Sequence, residues 1–114
     1  MATIVRSRKT KNKKSPLQRS KKLLEEEGFT VAIVERWNPF AKVRQDLFGI
    51  IDLLAVGNNV TVGVQVTTLG HRTSHREKIL ASPHLPTLKA SGWQIHLHSW
   101  RELVDGWKVD REGF

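Results

Sequence analysis

From Val60 to Thr67 the chain alternates without a break. Val60, Val62, Val64 and Val66 take one side, and Thr61, Gly63, Gln65 and Thr67 the other. Period-two alternation marks a β-strand. "GNN" (57–59) reads as a tight turn, and "LFGIIDLLAV" (47–56) ahead of it as a strand, so this part of the chain predicts an antiparallel hairpin. "FTVAIVERW" (29–37) predicts another strand. "WQIHLHSW" (93–100) predicts a fourth, with Trp93, Ile95 and Leu97 on one face and Gln94, His96 and His98 on the other. Helical signals lie between. Ser15 is placed as an N-cap, Pro16 as the first helical residue and Gln18 as the partner of a capping box, with Leu17, Leu23 and Leu24 on an apolar stripe and Gly28 as the stop. "SHRE" (74–77) repeats the capping pattern and starts a second helix, which Ser82-Pro83 ends or restarts, and "HLPTLKASG" carries a short further helix to Gly92. Asn38-Pro39 opens a loop over 38–46, and the tail after Trp100 has a short helical start and then little pattern. The order α-β-β-β-α-(α)-β predicts a small α/β sandwich with a mixed sheet.

Polar residues interrupt this pattern at three places. Asp52 sits among Ile50, Ile51, Leu53 and Leu54, where a carboxylate is costly unless paired, hydrogen-bonded or bound to metal. An arginine or main-chain amides could satisfy it. Gln65 and Thr67, two apart, point the same way, which also fits the polar face of an antiparallel strand. If Asp52 reaches that face across the hairpin, its carboxylate, the Gln65 amide oxygen and a main-chain carbonyl such as that of Val66 make an oxygen site for Mg²⁺ or Mn²⁺.

Charge adds a second theme. The chain has 114 residues, room for one domain over 15–114, and a formal net charge of +8. Nine of its 19 Lys and Arg, Lys13 and Lys14 among them, fall within residues 1–22, where there is no acid. Residues 1–14 therefore read as a disordered basic arm that attracts polyanions, with a merely solubilising tail as the other reading. The sequence has no cysteine, which excludes disulfides and thiolate metal sites and suits a reducing cytoplasm. No apolar run is long enough to span a membrane, and the basic N-terminus has no apolar segment behind it.

An Asp on one strand, a short turn and then an acid-x-Lys on the next strand is the pattern of the PD-(D/E)XK nuclease superfamily. "EEEGFTVAIVER", "DLLAV" and "QVT" resemble it in order and spacing over roughly residues 15–98. The branch this is most similar to contains the archaeal Holliday junction resolvases and small phage nucleases. The resemblance implies an αβββαβ, restriction-endonuclease-like core and makes Asp52 the second-motif metal ligand. It puts Gln65 at the acid position of the third motif, where some members use Gln. Thr67 stands where the family's lysine would be, and Lys78 on the following helix is the replacement. The first-motif glutamate would fall at Leu17 or Gln18, neither acidic. Glu25, Glu35 and Asp46 are the substitutes, with Glu35 and Asp46 the better placed. The function implied is a metal-dependent DNA endonuclease acting on branched or structured DNA as a homodimer. The alternative is a catalytically degenerate DNA-binding module of the same fold, and a third, an RNA-binding accessory protein, rests only on the basic arm.

Around this proposed site, Arg72 and Arg76 read as phosphate-facing donors, together with His71 and His75. Arg36, Lys42 and Arg44 surround "WNPF", where Trp37 and Phe40 could stack on an unpaired base while the cations grip the backbone. Trp37 could equally be a staple on the core. His71, His75 and Glu77 are too few for a zinc site. His96 and His98 read as a partly exposed face or the lining of a DNA groove, and Trp93, Trp100 and Trp107 as core or interface.

Overall fold

The computed structural model describes residues 14–114, so the expected arm lies outside the described residues except for Lys14. The first helix, α1 (Pro16–Glu26), starts as its sequence dictates. Ser15 Oγ accepts from the N–H of Gln18 at 3.2 Å, and Gly28 takes φ +99° beyond its end. Five strands form the main sheet: β1 (Thr30–Ile33), β4 (Leu53–Gly57), β5 (Val60–Thr68), β6 (Trp93–Leu103) and β7 (Gly106–Gly113), in the order β1-β4-β5-β6-β7. All neighbours run antiparallel except β5 and β6, which run parallel and are joined through α2 (Arg72–Leu80) and α3 (Leu85–Ala90). The protein is thus mixed α/β. The β4–β5 turn places Asn58 and Asn59 at φ +53° and +64°, the left-handed pair that a two-residue hairpin needs.

Alternation along β5 buries both faces. Val62 and Val64 pack with Leu24, Leu53 and Ala55 under α1. Gly63, on the opposite side, faces Ile51 and Ile95, whose cluster with Ile50, Ile79, Leu88 and Leu97 lies under α2 and α3. A Cβ on Gly63 would come within 2.6 Å of Ile51 Cδ1, so the glycine is there to let the isoleucine in.

Four expected boundaries change. The strand expected over 29–37 is two strands. β1 belongs to the main sheet, whereas β2 (Arg36–Asn38) pairs with β3 (Val43–Gln45) as a separate hairpin inside the expected 38–46 loop. Asn38 makes this possible by closing the hairpin tip with its side chain and carbonyl. The strand expected from Leu47 begins at Leu53, because Phe48 and Gly49, at φ +54° and +76°, turn the chain over a Leu47–Ile51 bridge. The helix expected to start at Ser74 begins at Arg72 after a 3₁₀ turn (Leu69–His71), and Ser74 Oγ donates to the His71 carbonyl instead of capping. The tail is strand rather than helix. β6 runs on to Leu103, turns at Gly106 (φ +124°) and returns as β7, tied down by Arg72–Asp110, Arg76–Glu112 and Arg111–Glu27 pairs. Ion pairs from two helices hold β7, which no local pattern announces.

Among the described residues no helix is long and apolar enough to cross a membrane.

Candidate metal centre

Asp52 sits at the joint where the chain enters β4. Its N–H donates to the Val64 carbonyl and its own carbonyl accepts from the Val34 N–H, both at 2.9 Å, so its main chain is bound on both sides. The side chain is 5% exposed, and its Oδ2 accepts from Gln65 Nε2 at 2.5 Å and from the Val66 N–H at 2.9 Å. Val66 thus meets Asp52 through its main-chain N–H. Gln65 Nε2 also reaches Asp46 Oδ2 at 3.2 Å, and Lys78 Nζ from α2 reaches the same oxygen at 2.8 Å. Glu35, just before β2, completes the group. One carboxylate oxygen each of Glu35, Asp46 and Asp52 lies within 4.8 Å of the others.

Three carboxylates this close cannot all hold full charge cheaply. Burial, with the hydrogen bond to Asp46 next, pushes the Asp52 carboxyl up to about 8. Burial alone would raise Asp46 too, but hydrogen bonds from Asp52, Lys78 and Gln65 outweigh it and hold that carboxyl below the usual range. Asp52 is thus the partner whose surroundings favour the protonated form, and Asp46 the one whose partners favour the charged form. His75, part-buried near Lys78, is pushed down by burial and by that cation, and its Nδ1 has no partner.

Gln65 is 1% exposed, and its Oε1 meets no donor. A buried amide oxygen without a partner is unusual. Its nitrogen is turned toward the acids, the orientation that suits carboxylates in the absence of a cation.

A cavity of about 580 Å³ opens beside Asp52, lined by Glu35, Arg44, Thr67 and, from the start of α1, Ser15 and Gln18. Gln18 and Leu17, at the start of α1, bring no acid to it. Thr67 supplies a hydroxyl and no amine, and the amine near the carboxylates comes from Lys78.

Of the residues singled out in the sequence, Asp52, Gln65, Glu35 and Lys78 are brought together, and Arg44 borders them. Asp46 joins them alongside Glu35, so two of the three acids singled out besides Asp52 lie together with it. Glu25 is elsewhere, paired with Lys21 along α1. Arg36 lines a neighbouring depression with Asp46. Arg72 and Arg76 do not face the site; their guanidiniums are engaged by Asp110 and Glu112 of β7. Lys14 lies by Arg19 and Lys22 in a separate shallow depression near Trp107, and Lys13 is outside the described residues. His98 lines no groove: it is fully buried against Ser20. Trp37 is 55% exposed, so it is not a core staple. Of the donors expected beside the site, His75 does lie near the acids, three residues before Lys78 on the same helix.

Compared with known proteins, the chain matches no family profile, and no curated protein is significantly similar to it. What fold and site define by themselves is a mixed α/β protein with a part-buried carboxylate cluster, a buried amide and one lysine beside its interior strands β4 and β5.

Proposed function

We propose that this protein is a metal-dependent nuclease of the PD-(D/E)XK kind, hydrolysing phosphodiester bonds in branched or structured DNA. The observation that carries the reading is the buried Gln65 amide, which meets two of three converging carboxylates through Nε2 while its oxygen has no donor among the described residues. Four hard oxygen donors, three of them anionic, fit Mg²⁺ or Mn²⁺. Glu35, Asp46 and Asp52 would hold the ion, and a turn of the Gln65 amide would present Oε1 to it. Within the chain, α1, β1, β4, β5, α2 and β6 follow the αβββαβ order that the resemblance implies, with Asp52 at the entry to β4 and Gln65 on its partner β5.

The ion, when bound, supplies charge against the phosphoryl oxygens and a water of lowered pKa. The protein's own groups do the rest. Asp52 gives up its proton so that the site becomes anionic. Lys78 stands in for the lysine missing at Thr67 and places a positive charge beside the reacting phosphate, where it stabilises charge developing in the transition state. Arg44 and the first turn of α1, which line the same cavity as Glu35 and Asp52, favour a phosphate there. Paired cuts in a junction need two sites, so the reading carries a symmetric dimer with it.

The degenerate, DNA-binding reading has one observation in its favour, the hydroxyl at Thr67. A cleavage assay on junction, flap, single-stranded and duplex DNA with Mg²⁺ or Mn²⁺ separates the two. The nuclease reading expects cutting that Asp52→Ala abolishes and Lys78→Ala slows by a factor of about 100 or more, the scale of losing one charge stabiliser. Cutting that survives Asp52→Ala would remove the site; DNA binding without any cutting would favour the binding module.

A further inference from the structure

The β2–β3 hairpin pairs with no other strand. Its register is Arg36↔Gln45, Trp37↔Arg44 and Asn38↔Val43. Asn38 fastens the tip: its Oδ1 accepts from the N–H groups of Phe40 at 2.9 Å and Ala41 at 3.1 Å, and its carbonyl accepts from Lys42 at 2.7 Å. Lys42 takes φ +56° to complete the turn. The tip so fixed holds Phe40 with 96% of its surface exposed, and Trp37 and Val43 below it are about half exposed. Exposed apolar groups gathered on a fastened projection mark a contact surface. Between Arg36 and Gln45 there are three cations and no acid. Trp37 and Arg44, being cross-strand partners, leave the same face, and Arg44 lines the cavity beside Asp52.

The roots of the hairpin are the site. Glu35 directly precedes Arg36 and Asp46 directly follows Gln45, so the last cross-strand pair is flanked by two of the three clustered carboxylates. Whatever seats on the hairpin is therefore registered against those acids.

We propose that the hairpin is a wedge that stacks Phe40 on an unpaired base at a branch in DNA and so sets where the carboxylates at its root cut. This rests on the nuclease reading above. Cations beside exposed aromatic rings match a polyanion whose unpaired bases offer flat apolar faces, and stacking of this kind tolerates any base. An apolar protein groove would cover Phe40 but has no use for Arg36, Lys42 and Arg44. The reach is bounded. Five residues from Glu35 to Phe40 span at most about 17 Å at strand rise, or about five nucleotide steps at the duplex spacing of about 3.4 Å.

The test uses the full chain and two DNAs of equal sequence, a duplex and a fork carrying 2-aminopurine at the branch, with binding measured in EDTA. Wild type is expected to bind the fork about tenfold tighter than the duplex, to change the 2-aminopurine emission and, in Mg²⁺, to cut within about five nucleotides of the branch. Phe40→Ala should bring the fork-to-duplex ratio close to one, remove the emission change and scatter the cuts. Since Phe40 is exposed, its melting temperature should match wild type. Arg44→Ala should weaken binding to both DNAs and keep the ratio. An unchanged ratio in Phe40→Ala overturns the wedge and leaves the nuclease reading standing. Wild type that neither binds nor cuts overturns both. A dimer that Phe40→Ala dissociates, with DNA selectivity untouched, makes the hairpin a self-association surface and overturns the wedge.

Discussion

Gln65 Nε2 lies 2.5 Å from Asp52 Oδ2, while the oxygen of the same amide is buried without a donor. The amide satisfies the carboxylate at its own expense. A buried acceptor left unpaired costs on the order of 1–3 kcal/mol, and Val62 and Val64 show that β5 can bury apolar side chains without that cost. Asp52 bears a matching cost in its raised pKa. The two costs meet at one point, which is where a cation would relieve both.

The Asp52 strain should be visible as stability. Its folded pKa of about 8 stands above the ordinary value of 3.8, so the folded state holds the extra proton between those limits. The stability contributed is complete below the ordinary value and is lost as pH rises through about 8. Asp52→Asn keeps the shape without the charge. In EDTA at pH 8.5 to 9 (about half a unit or more above that pKa) it should melt several degrees above wild type, a gain on the order of a few kcal/mol, and close to wild type near pH 4. Thermal melts across that range check it; parallel curves would show that Asp52 ionises freely.

Cation binding should carry the same proton. Mn²⁺ must displace it, so apparent affinity should rise about tenfold per pH unit below the Asp52 pKa of about 8 and level off above it. Gln65→Ala removes the amide oxygen, and its affinity should fall about 10-fold or more, since even groups one step removed from a metal are worth about that. Calorimetric titration reads both. Equal Mn²⁺ affinity in Gln65→Ala would mean that the amide serves only the carboxylates.

How much of this was legible in the sequence follows the reach of each signal. The α1 cap, the β4–β5 turn and the alternation of β5 are local, and each was readable from a few neighbouring residues. Asp52 and Gln65 stood out because they break an apolar pattern. Asp46 and Glu35 were named only as alternatives, because an acid at a strand end or in a turn needs no explanation of its own; the β2–β3 pairing is what brings both together with Asp52. That pairing depends on Asn38 fastening the tip, and Asn-Pro was read as the start of an open loop. β7 is held by Arg72, Arg76 and Arg111 across 36 to 84 residues, so its sequence alone looked patternless. The same long-range pairs moved Arg72 and Arg76 away from the role expected of them.

On the α1 face of the sheet, a second buried group titrates in the opposite sense. Trp100 Nε1 donates to Ser20 Oγ at 2.8 Å, and Ser20 Oγ lies 2.8 Å from His98 Nδ1. Indole can only donate, so Ser20 Oγ accepts from Trp100 and holds His98 Nδ1 with its remaining hydrogen-bonding capacity. Burial first, and then Arg111 and His96, push this imidazole down to about 4 from 6.5. The unfolded chain thus binds one more proton there between those values, and stability falls as pH drops through that window. Over the shared range, from about 4 to 6.5, the Asp52 and His98 slopes oppose each other; burial pushes His75 and His96 down as well, so they side with His98, and above that range only Asp52 is left. Wild type in EDTA should therefore hold or gain melting temperature up to about pH 6.5 and lose it from there to pH 8. His98→Gln should tilt the acid limb toward the Asp52 slope, so that between about pH 4.5 and 6.5 the variant gains less than wild type or loses melting temperature. Ser20→Ala leaves both the indole N–H and Nδ1 unpaired and should cost about 2 kcal/mol or more at every pH. A wild-type profile that rises with pH through the whole range would mean that His98 outweighs Asp52, and that the carboxylate cluster carries less proton strain than its burial implies.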